Sequence, residues 1–485
     1  MNKKEILDID RNNIWHPFTR MKDYEKLDHI AIKRAKGLKL YDVDGKSYYD
    51  TISSWWTNLH GHCHPLINDA LTKQVKKLEH VNFSGFTHKP ATKLVSLLKN
   101  FLSPVLTRFF FSDNGSTATE VALKLSFQYY KNRGIEGKTK FVYLKNSYHG
   151  DTIGSVSVGG MESFHGTFRE LCFSSFMVDG PHCSKCKAKK QQYTLDATDI
   201  SCDNRCFETM RSLLTSSSSE IAAVIIEPLI QCAGGMINYP PKYLRELRNL
   251  TKELNIHLIY DEVATGFGRT GSMFAYQQTA TVPDFICLSK GLSGGYMPLG
   301  LTVTTDEIYE PFYNDNFDNK SFYHGHSYTA NPLACSTGIA SLKIFESEKL
   351  PYSKVDVIEK FHSELTAFTE LDFVSDVRFL GFIGAVDIVS DLKNRLQFPD
   401  ECRIGYRIYM NSLKAGLVLR PLGDIIYWFL PLAVNEDDIR AIMKKSIKVI
   451  KDTVYEVRKE FNLSEATGSI KKTRGSIKEK TVNFI

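Results

Sequence analysis

Two residues twenty-nine positions apart carry the clearest chemistry in this sequence: Asp261 and Lys290. Asp261 closes the apolar run Ile256–Tyr260, and Lys290 follows a second run, Phe285–Leu288, with glycines behind it. Short apolar runs bounded by turn signals read as buried strands, and open α/β sheets place ligand sites at the C-terminal ends of their strands. A carboxylate at such an end needs a cationic partner, and a lysine needs an electrophile. A pyridoxal phosphate ring offers both: a protonated ring nitrogen for Asp261 and an aldehyde for Lys290. Either residue alone is more often a helix cap or a solvated side chain. The pairing of the two strand ends makes the reading chemical.

The elements that must position this pair alternate. In RFFFSDNGSTATEVALKLSFQYYK a short strand, Phe109–Phe111, gives way to a turn at Asn114–Gly115–Ser116. A helix follows, with Ala118, Val121, Ala122, Leu125 and Tyr129 on one face and a capping-box pattern at Thr117-x-x-Glu120. A strand, a Gly-Ser turn and a helix N-terminus form an anion seat from unpaired N–H groups, a positive dipole end and a hydroxyl. Strand KFVYLK, strand Ala222–Ile226 ending in Glu227, and helix Lys242–Asn255 lead to the Asp261 strand. This alternation predicts an α/β fold with a largely parallel sheet covered on both faces.

The flanks read differently. LKLYDV and KSYYDT bracket Asp44–Gly45, a signal for a type I′ hairpin. A helix from Pro65 shows an apolar stripe at Leu66, Ala70, Leu71, Val75 and Leu78. The expected organisation is an N-terminal arm and hairpin over 1–60, belonging to a small domain, and a large α/β domain over 61–340. A C-terminal α+β part of the small domain follows over 341–462, and then a basic tail over 463–485 expected to be disordered.

Composition sets the class. The chain has 485 residues, 42% hydrophobic and 24% charged, a globular composition sized for two or three domains. Much of the net charge of +6 sits in the tail, at Lys471, Lys472, Arg474, Lys478 and Lys480, so it is no argument for nucleic-acid binding. MNKKEILDIDRNN lacks the apolar core of a signal peptide, and no apolar run is long enough to span a bilayer. The expected location is the cytoplasm, where the ten cysteines would be mostly reduced.

Four separated motifs, SDNGS, YHGD, IYDEVATGFGRTG and LSKGLSGGYMPLG, resemble the class III, fold-type I pyridoxal-phosphate aminotransferases over about residues 12–455. IWHPFTRM, SWWTNLHGHCHP, HGHSYTANPLAC and LRPLGDIIYW resemble, within that class, the branch that aminates 8-amino-7-oxononanoate to 7,8-diaminononanoate for biotin synthesis. The resemblance implies a fold-type I architecture, a seven-stranded-type sheet sandwiched by helices with a small domain built from both chain ends. It implies that Lys290 holds the pyridoxal 5'-phosphate aldehyde and shuttles protons, an amine whose pKa a neighbouring cation would lower. Asp261 would pair with the ring nitrogen, Tyr148 would stack on the ring, and Gly115 and Ser116 would hold the phosphate. Ser327 would reach the phosphate of a second subunit, implying a homodimer with shared sites. Arg420 would grip the substrate carboxylate. Trp55, Trp56 and Tyr427 would line a substrate channel, with Phe18, Asp151, Glu227 and Gly325 at further substrate positions.

Two departures bear on the amino donor. The HPF motif often carries Tyr where Phe18 stands here, and many relatives have Gly-Pro-Thr in place of Gly325–His326–Ser327. Both resemble a branch that uses lysine, while S-adenosylmethionine, the better-known donor, is kept as the default. Cys183-x2-Cys186 and Cys202-x3-Cys206 approach zinc-site spacing, so a structural zinc is a minor alternative for them. The reaction itself calls for no metal. Competing readings are another class III activity on an ω-amino acid or diamine, and a ligand-sensing module of the same fold. The segment before the large domain reads as arm plus hairpin rather than helix-turn-helix, which favours an enzyme.

Overall fold

The computed structural model describes residues 1–27, 29–183, 186, 202, 204–315 and 319–463. The expected tail over 463–485 lies outside the described residues except for Leu463, and so do residues 184–185, 187–201 and 203 around the four clustered cysteines. Among the described residues, no helix is long and apolar enough to cross a membrane.

Seven strands form the main sheet: β1 (Leu106–Ser112), β2 (Lys140–Leu144), β3 (Phe176–Val178), β4 (Ile221–Ile226), β5 (His257–Asp261), β6 (Phe285–Leu288) and β7 (Gly300–Thr305). Their order is β1-β7-β6-β5-β4-β2-β3. β7 runs antiparallel to both β6 and β1, and the other neighbours pair in parallel. This is the mostly parallel, fold-type I sheet expected. β4 and β6 are buried along their whole length, which is why IAAVII and FICL show no polar alternation. Helix Gly115–Asn132 packs Ala118, Val121, Ala122, Leu125 and Tyr129 into one core with Ala223, Ile225, Ile259 and Phe285. Each fully buried large aliphatic side chain there contributes about 1.5–3 kcal/mol relative to exposure.

The chain divides into two compact units. The larger comprises Trp56–Leu59 and Pro65–Val355, and the smaller Met1–Trp55, His60–His64 and the chain from Asp356 onward. The division falls at Val355 rather than at residue 340, because helix Pro332–Glu348 packs on helices Pro65–Val75 and Lys89–Leu98 of the larger unit. The smaller unit holds two antiparallel three-stranded sheets. One is built from Ile32–Lys36, Lys39–Asp42 and Ser47–Tyr49, the other from Val374–Leu380, Ile383–Ile388 and Ile425–Phe429. Helices Ile404–Lys414 and Glu436–Glu460 pack together in the same unit.

Three local expectations are corrected. The first helix of the large sheet begins at Gly115, and its cap is Asn114: Asn114 Oδ1 accepts from Thr117 N, and Thr117 Oγ1 accepts from Asn114 N, both at 3.0 Å. Glu120 is therefore no part of the capping box; it accepts instead from Gly154 N at 2.7 Å and Ser155 N at 3.3 Å. Asn outcompetes a downstream Thr because its amide oxygen reaches the third helical N–H from the extended cap conformation. The hairpin turn is not type I′, because Gly45 has φ +89° but Asp44 is not left-handed. Asp42 Oδ1 accepts from the N–H groups of Asp44 and Lys46, so an Asx-type turn sets the geometry. On helix Pro65–Val75 the buried residue is Ile67, while Leu66 and Val75 are exposed, because Ile67 faces the helix's partners within the chain.

Candidate active site

Parallel neighbours in a sheet end at the same edge, so β5 and β6 deliver their last side chains to one place. Asp261 pairs in register with Cys287, and Lys290 stands three residues beyond. Ser289 Oγ donates to Leu299 O at 2.7 Å, and Lys290 itself sits in the left-handed region, φ +43°, which a non-glycine residue adopts at a cost of about 1–3 kcal/mol. Both side chains line one cavity of about 690 Å³.

The same cavity collects eight of the residues singled out from sequence: Trp56, Gly115, Ser116, Tyr148, Asp151, Glu227, Asp261 and Lys290. At one end lies the N-terminus of helix Gly115–Asn132, presenting the N–H groups of its first turn. Ser116 Oγ accepts from Thr152 N at 3.0 Å and lies 2.7 Å from Thr152 Oγ1 and 3.2 Å from Ser155 Oγ. Two glycines are required by space here. A Cβ on Gly115 would lie 2.5 Å from Val263 Cγ1, and one on Gly150 (φ +122°) would lie 2.2 Å from Ser116 Oγ. Hydroxyls, helix N–H groups and close backbone approach together suit a phosphate.

Asp261 is 4% exposed and held on both oxygens: Oδ1 accepts from Val263 N at 3.0 Å, and Oδ2 lies 2.7 Å from His149 Nδ1. Glu262, its neighbour in sequence, points away. It accepts from Ala275 N, Tyr276 N and Thr265 Oγ1, and burial pushes its pKa up to about 7 despite those donors. The acidic pair thus splits into one cavity residue and one that shapes the following loop. Glu227 is buried and pushed up to about 7, chiefly by desolvation; its oxygens accept from Tyr148 N at 3.3 Å and Cys232 N at 2.9 Å. Tyr148 donates its hydroxyl to Asp151 Oδ2 at 2.8 Å and stacks on His165, with ring centroids 5.7 Å apart. Desolvation raises the Tyr148 pKa, so the phenol stays protonated.

Desolvation, not a neighbouring cation, is the main cause that lowers the Lys290 pKa; Asp261 opposes it, and Arg269 adds only a minor push. This corrects the expected source of the shift. A desolvated amine is a better nucleophile and proton acceptor than a solvated ammonium. The Trp56 ring centroid lies 4.8 Å from Lys290 Nζ. Trp56 ends a run, Ser53–Trp56, in which all four residues have positive φ, and buried Arg269 donates to Trp56 O at 3.2 Å and Asn58 O at 2.7 Å. Sequence reasoning overlooked His149, Thr152 and Arg269. The first two flank residues that had been chosen in NSYHGDT, and that adjacency was the available signal.

Other expected residues lie elsewhere. Gly325 and Ser327 are exposed in the larger unit and do not line the cavity. Phe18, Trp55 and Arg420 cluster in the smaller unit: Phe18 meets Trp55 edge-on at 5.5 Å, the Arg420 guanidinium lies 4.3 Å from the Trp55 centroid, and Arg420 Nη2 donates to Phe18 O at 3.3 Å. Arg420 has no carboxylate partner among the described residues. Tyr427 is 1% exposed within its strand, opposite Ala385. Among the described residues no three His, Cys, Asp or Glu side chains are grouped to hold a metal; the whole segment between Cys186 and Cys202 lies outside them.

Comparison with known proteins gives a consistent picture. A family model described as Aminotransferase class-III matches residues 21–450. An adenosylmethionine-8-amino-7-oxononanoate aminotransferase of Geobacter sulfurreducens is 40% identical over 448 residues, covering 92% of this chain and 98% of the relative. One of the same description from Aquifex aeolicus is 40% identical over 461 residues, covering 95% and 99%. Among solved structures, the adenosylmethionine-8-amino-7-oxononanoate aminotransferase of Methanocaldococcus jannaschii superposes with a TM-score of 0.87 at 37% identity, covering 93% of this chain and 99% of that one. An omega transaminase of Pseudomonas jessenii in complex with PMP superposes with a TM-score of 0.86 at 27% identity, covering 93% and 98%.

Proposed function

The chain belongs to the class III aminotransferases, and from that premise we propose that it is a cytoplasmic, pyridoxal-phosphate-dependent homodimer that converts 8-amino-7-oxononanoate to 7,8-diaminononanoate, with S-adenosylmethionine as amino donor. The observation that carries the chemistry is the delivery of Asp261 and Lys290 by adjacent parallel strands to the cavity that also holds the helix N-terminus at Gly115. The substrate assignment rests on relatives of about 40% identity that span nearly the whole chain.

The residues present fit the cofactor. Gly115, Ser116 and Thr152 offer N–H and hydroxyl donors for a phosphate, and Asp261 is a buried carboxylate suited to a ring N–H. When bound, pyridoxal phosphate supplies an electrophilic carbonyl and an electron sink for the bond broken at the substrate carbon. Lys290 Nζ, its pKa lowered by desolvation, would move a proton from the amino donor's carbon to the cofactor in the first half-reaction and from the cofactor to the acceptor's carbon in the second. His149 and Val263 N hold Asp261 in one orientation. Tyr148 presents a flat face whose tilt is fixed by its bond to Asp151 and by His165 behind it. Trp56 covers Lys290 and restricts water.

Arg420 is assigned the carboxylate of the substrate. A guanidinium stacked on Trp55 and lacking a carboxylate partner among the described residues supports that role. Ser327 is assigned to the phosphate of a second subunit. Large apolar side chains exposed on the single chain, including Leu66, Val75, Phe86 and Tyr323, support self-association.

The test is a donor screen. Purified protein loaded with pyridoxal phosphate is offered 8-amino-7-oxononanoate with S-adenosylmethionine, lysine or other amines, and diaminononanoate is measured. Product with S-adenosylmethionine is the expected result. Product with lysine alone reassigns the donor, the outcome that Phe18 and Gly325–His326–Ser327 would then explain. No product with any donor rejects the substrate assignment.

A further inference from the structure

Arg420 does not meet its surroundings through side chains alone. One of its N–H groups is spent on a main-chain carbonyl, that of Phe18, on the N-terminal arm. Phe18 is left-handed, φ +47°, a conformation that a bulky aromatic residue holds only when its neighbours over-determine it. The contacts that do so lie on both sides. Asp10, ahead of Phe18, lies 3.1 Å from His16 Nε2 and accepts from the hydroxyl of Tyr24, which follows Phe18 and meets His29 edge-on at 4.1 Å. These contacts close the arm upon itself.

On the C-terminal side the arm is tied to distant chain. Asp23, in the short helix Met21–Tyr24, accepts two hydrogen bonds from Arg403: Nη1 to Oδ1 at 3.2 Å and Nη2 to Oδ2 at 2.6 Å. Arg403 is itself left-handed, φ +45°, at the start of helix Ile404–Lys414, and its guanidinium lies 4.2 Å from the Tyr406 centroid. A fork held on both carboxylate oxygens and stacked on a ring has one geometry, unlike a point-charge contact. Neither residue belongs to the unit that carries Lys290 and Asp261.

We propose that the Asp23–Arg403 pair is a positioning clamp that sets the affinity for the substrate's carboxylate, by holding Phe18 where its carbonyl orients Arg420. The proposal rests on the assignment of that carboxylate to Arg420. Without the clamp, the stretch from Ile14 to Arg20 relaxes out of the left-handed turn, Phe18 O leaves Arg420, and the guanidinium loses the contact that fixes its plane on Trp55. Binding of the acid then weakens while the groups that move protons are untouched.

The full-length, cofactor-loaded protein is assayed with 8-amino-7-oxononanoate as varied substrate. D23R and R403D are each expected to raise KM about tenfold while changing kcat less than about twofold, and the double variant D23R/R403D to bring KM back within about threefold of wild type. Chymotryptic cleavage after Phe18 is expected to speed up about tenfold in each single variant and to slow again in the double variant, because a released arm is more often open. Unchanged KM in the single variants overturns the clamp, and so does a double variant that stays impaired, or a fall in kcat that matches the rise in KM. Arg420→Met separates the two layers. If it leaves KM for the acid unaltered, the assignment of Arg420 fails and the clamp with it; if it raises KM while D23R and R403D do not, only the clamp fails.

Discussion

His149 Nδ1 lies 2.7 Å from Asp261 Oδ2, and the imidazole is fully enclosed. An ionised carboxylate can only accept, so Nδ1 carries the proton, and the ring fixes which way Asp261 faces. The bond joins a loop residue after β2 to the last residue of β5.

Replacing this histidine should therefore damage catalysis without removing any group that touches the reacting carbon. His149→Leu leaves a buried carboxylate oxygen without its donor, a loss of about 1.5–3 kcal/mol, so kcat/KM should fall about tenfold to a hundredfold. His149→Asn, which keeps a donor, should fall less. Equal losses in the two variants, measured alongside titration of cofactor absorbance, would show that the donated hydrogen bond is not what matters.

Lys290→Ala should lower turnover by at least about a thousandfold, since both the covalent tether and the proton shuttle are lost. Borohydride treatment followed by mass spectrometry should show cofactor fixed to the wild-type chain and none fixed to the variant. A variant that still transaminates at the wild-type rate would refute the assignment of Lys290.

Gly115→Ala tests the link between the phosphate seat and the ring-nitrogen carboxylate. The added methyl would sit 2.5 Å from Val263 Cγ1, and Val263 N is the donor to Asp261 Oδ1. One substitution should thus disturb both, weakening pyridoxal phosphate binding about tenfold or more. Equilibrium dialysis of the apoprotein measures this, and an unchanged dissociation constant would count against the seat.

Stability should carry a pH signature from Asp424 in the smaller unit. Burial, with Asp400 and Asp387 nearby, pushes its pKa up from 3.8 to about 7. A raised folded-state pKa means that the folded protein holds the proton more tightly than the unfolded chain. The stabilisation is full below the unfolded value and is lost as pH rises through about 7. Asp424→Asn mimics the protonated form, so it should raise Tm at pH 8 by a few degrees and have little effect near pH 4. Thermal denaturation across that range measures it; the same gain at both ends would exclude titration of Asp424 as the cause.

The legible part of this protein was local. An apolar run closed by Asp261, another closed by Lys290, and a Gly-Ser turn ahead of a helical face each announce themselves within about ten residues, because strand burial and helix periodicity act over that range. The motifs around them sufficed to place the chain in its family and to anticipate the mostly parallel sheet. Even locally some choices needed competition between groups: Asn114 took the helix cap that Thr117 resembled, which released Glu120 to bind Gly154 N.

Other features were decided by packing at long range. His149 and Asp261 are 112 residues apart, and Asp23 and Arg403 are 380 apart. Residue types at those positions are equally compatible with solvated surface charge. Only the stacking of β2, β4 and β5, and the folding of the arm onto the C-terminal part of the chain, brings each pair within hydrogen-bond reach. The left-handed turn at Ser53–Trp56 is of the same kind, since no local preference of Ser or Trp favours it and the Arg269 bonds to Trp56 O and Asn58 O help to hold it. Local energies select the elements, whereas pairings between distant residues follow only once the whole core has closed around them.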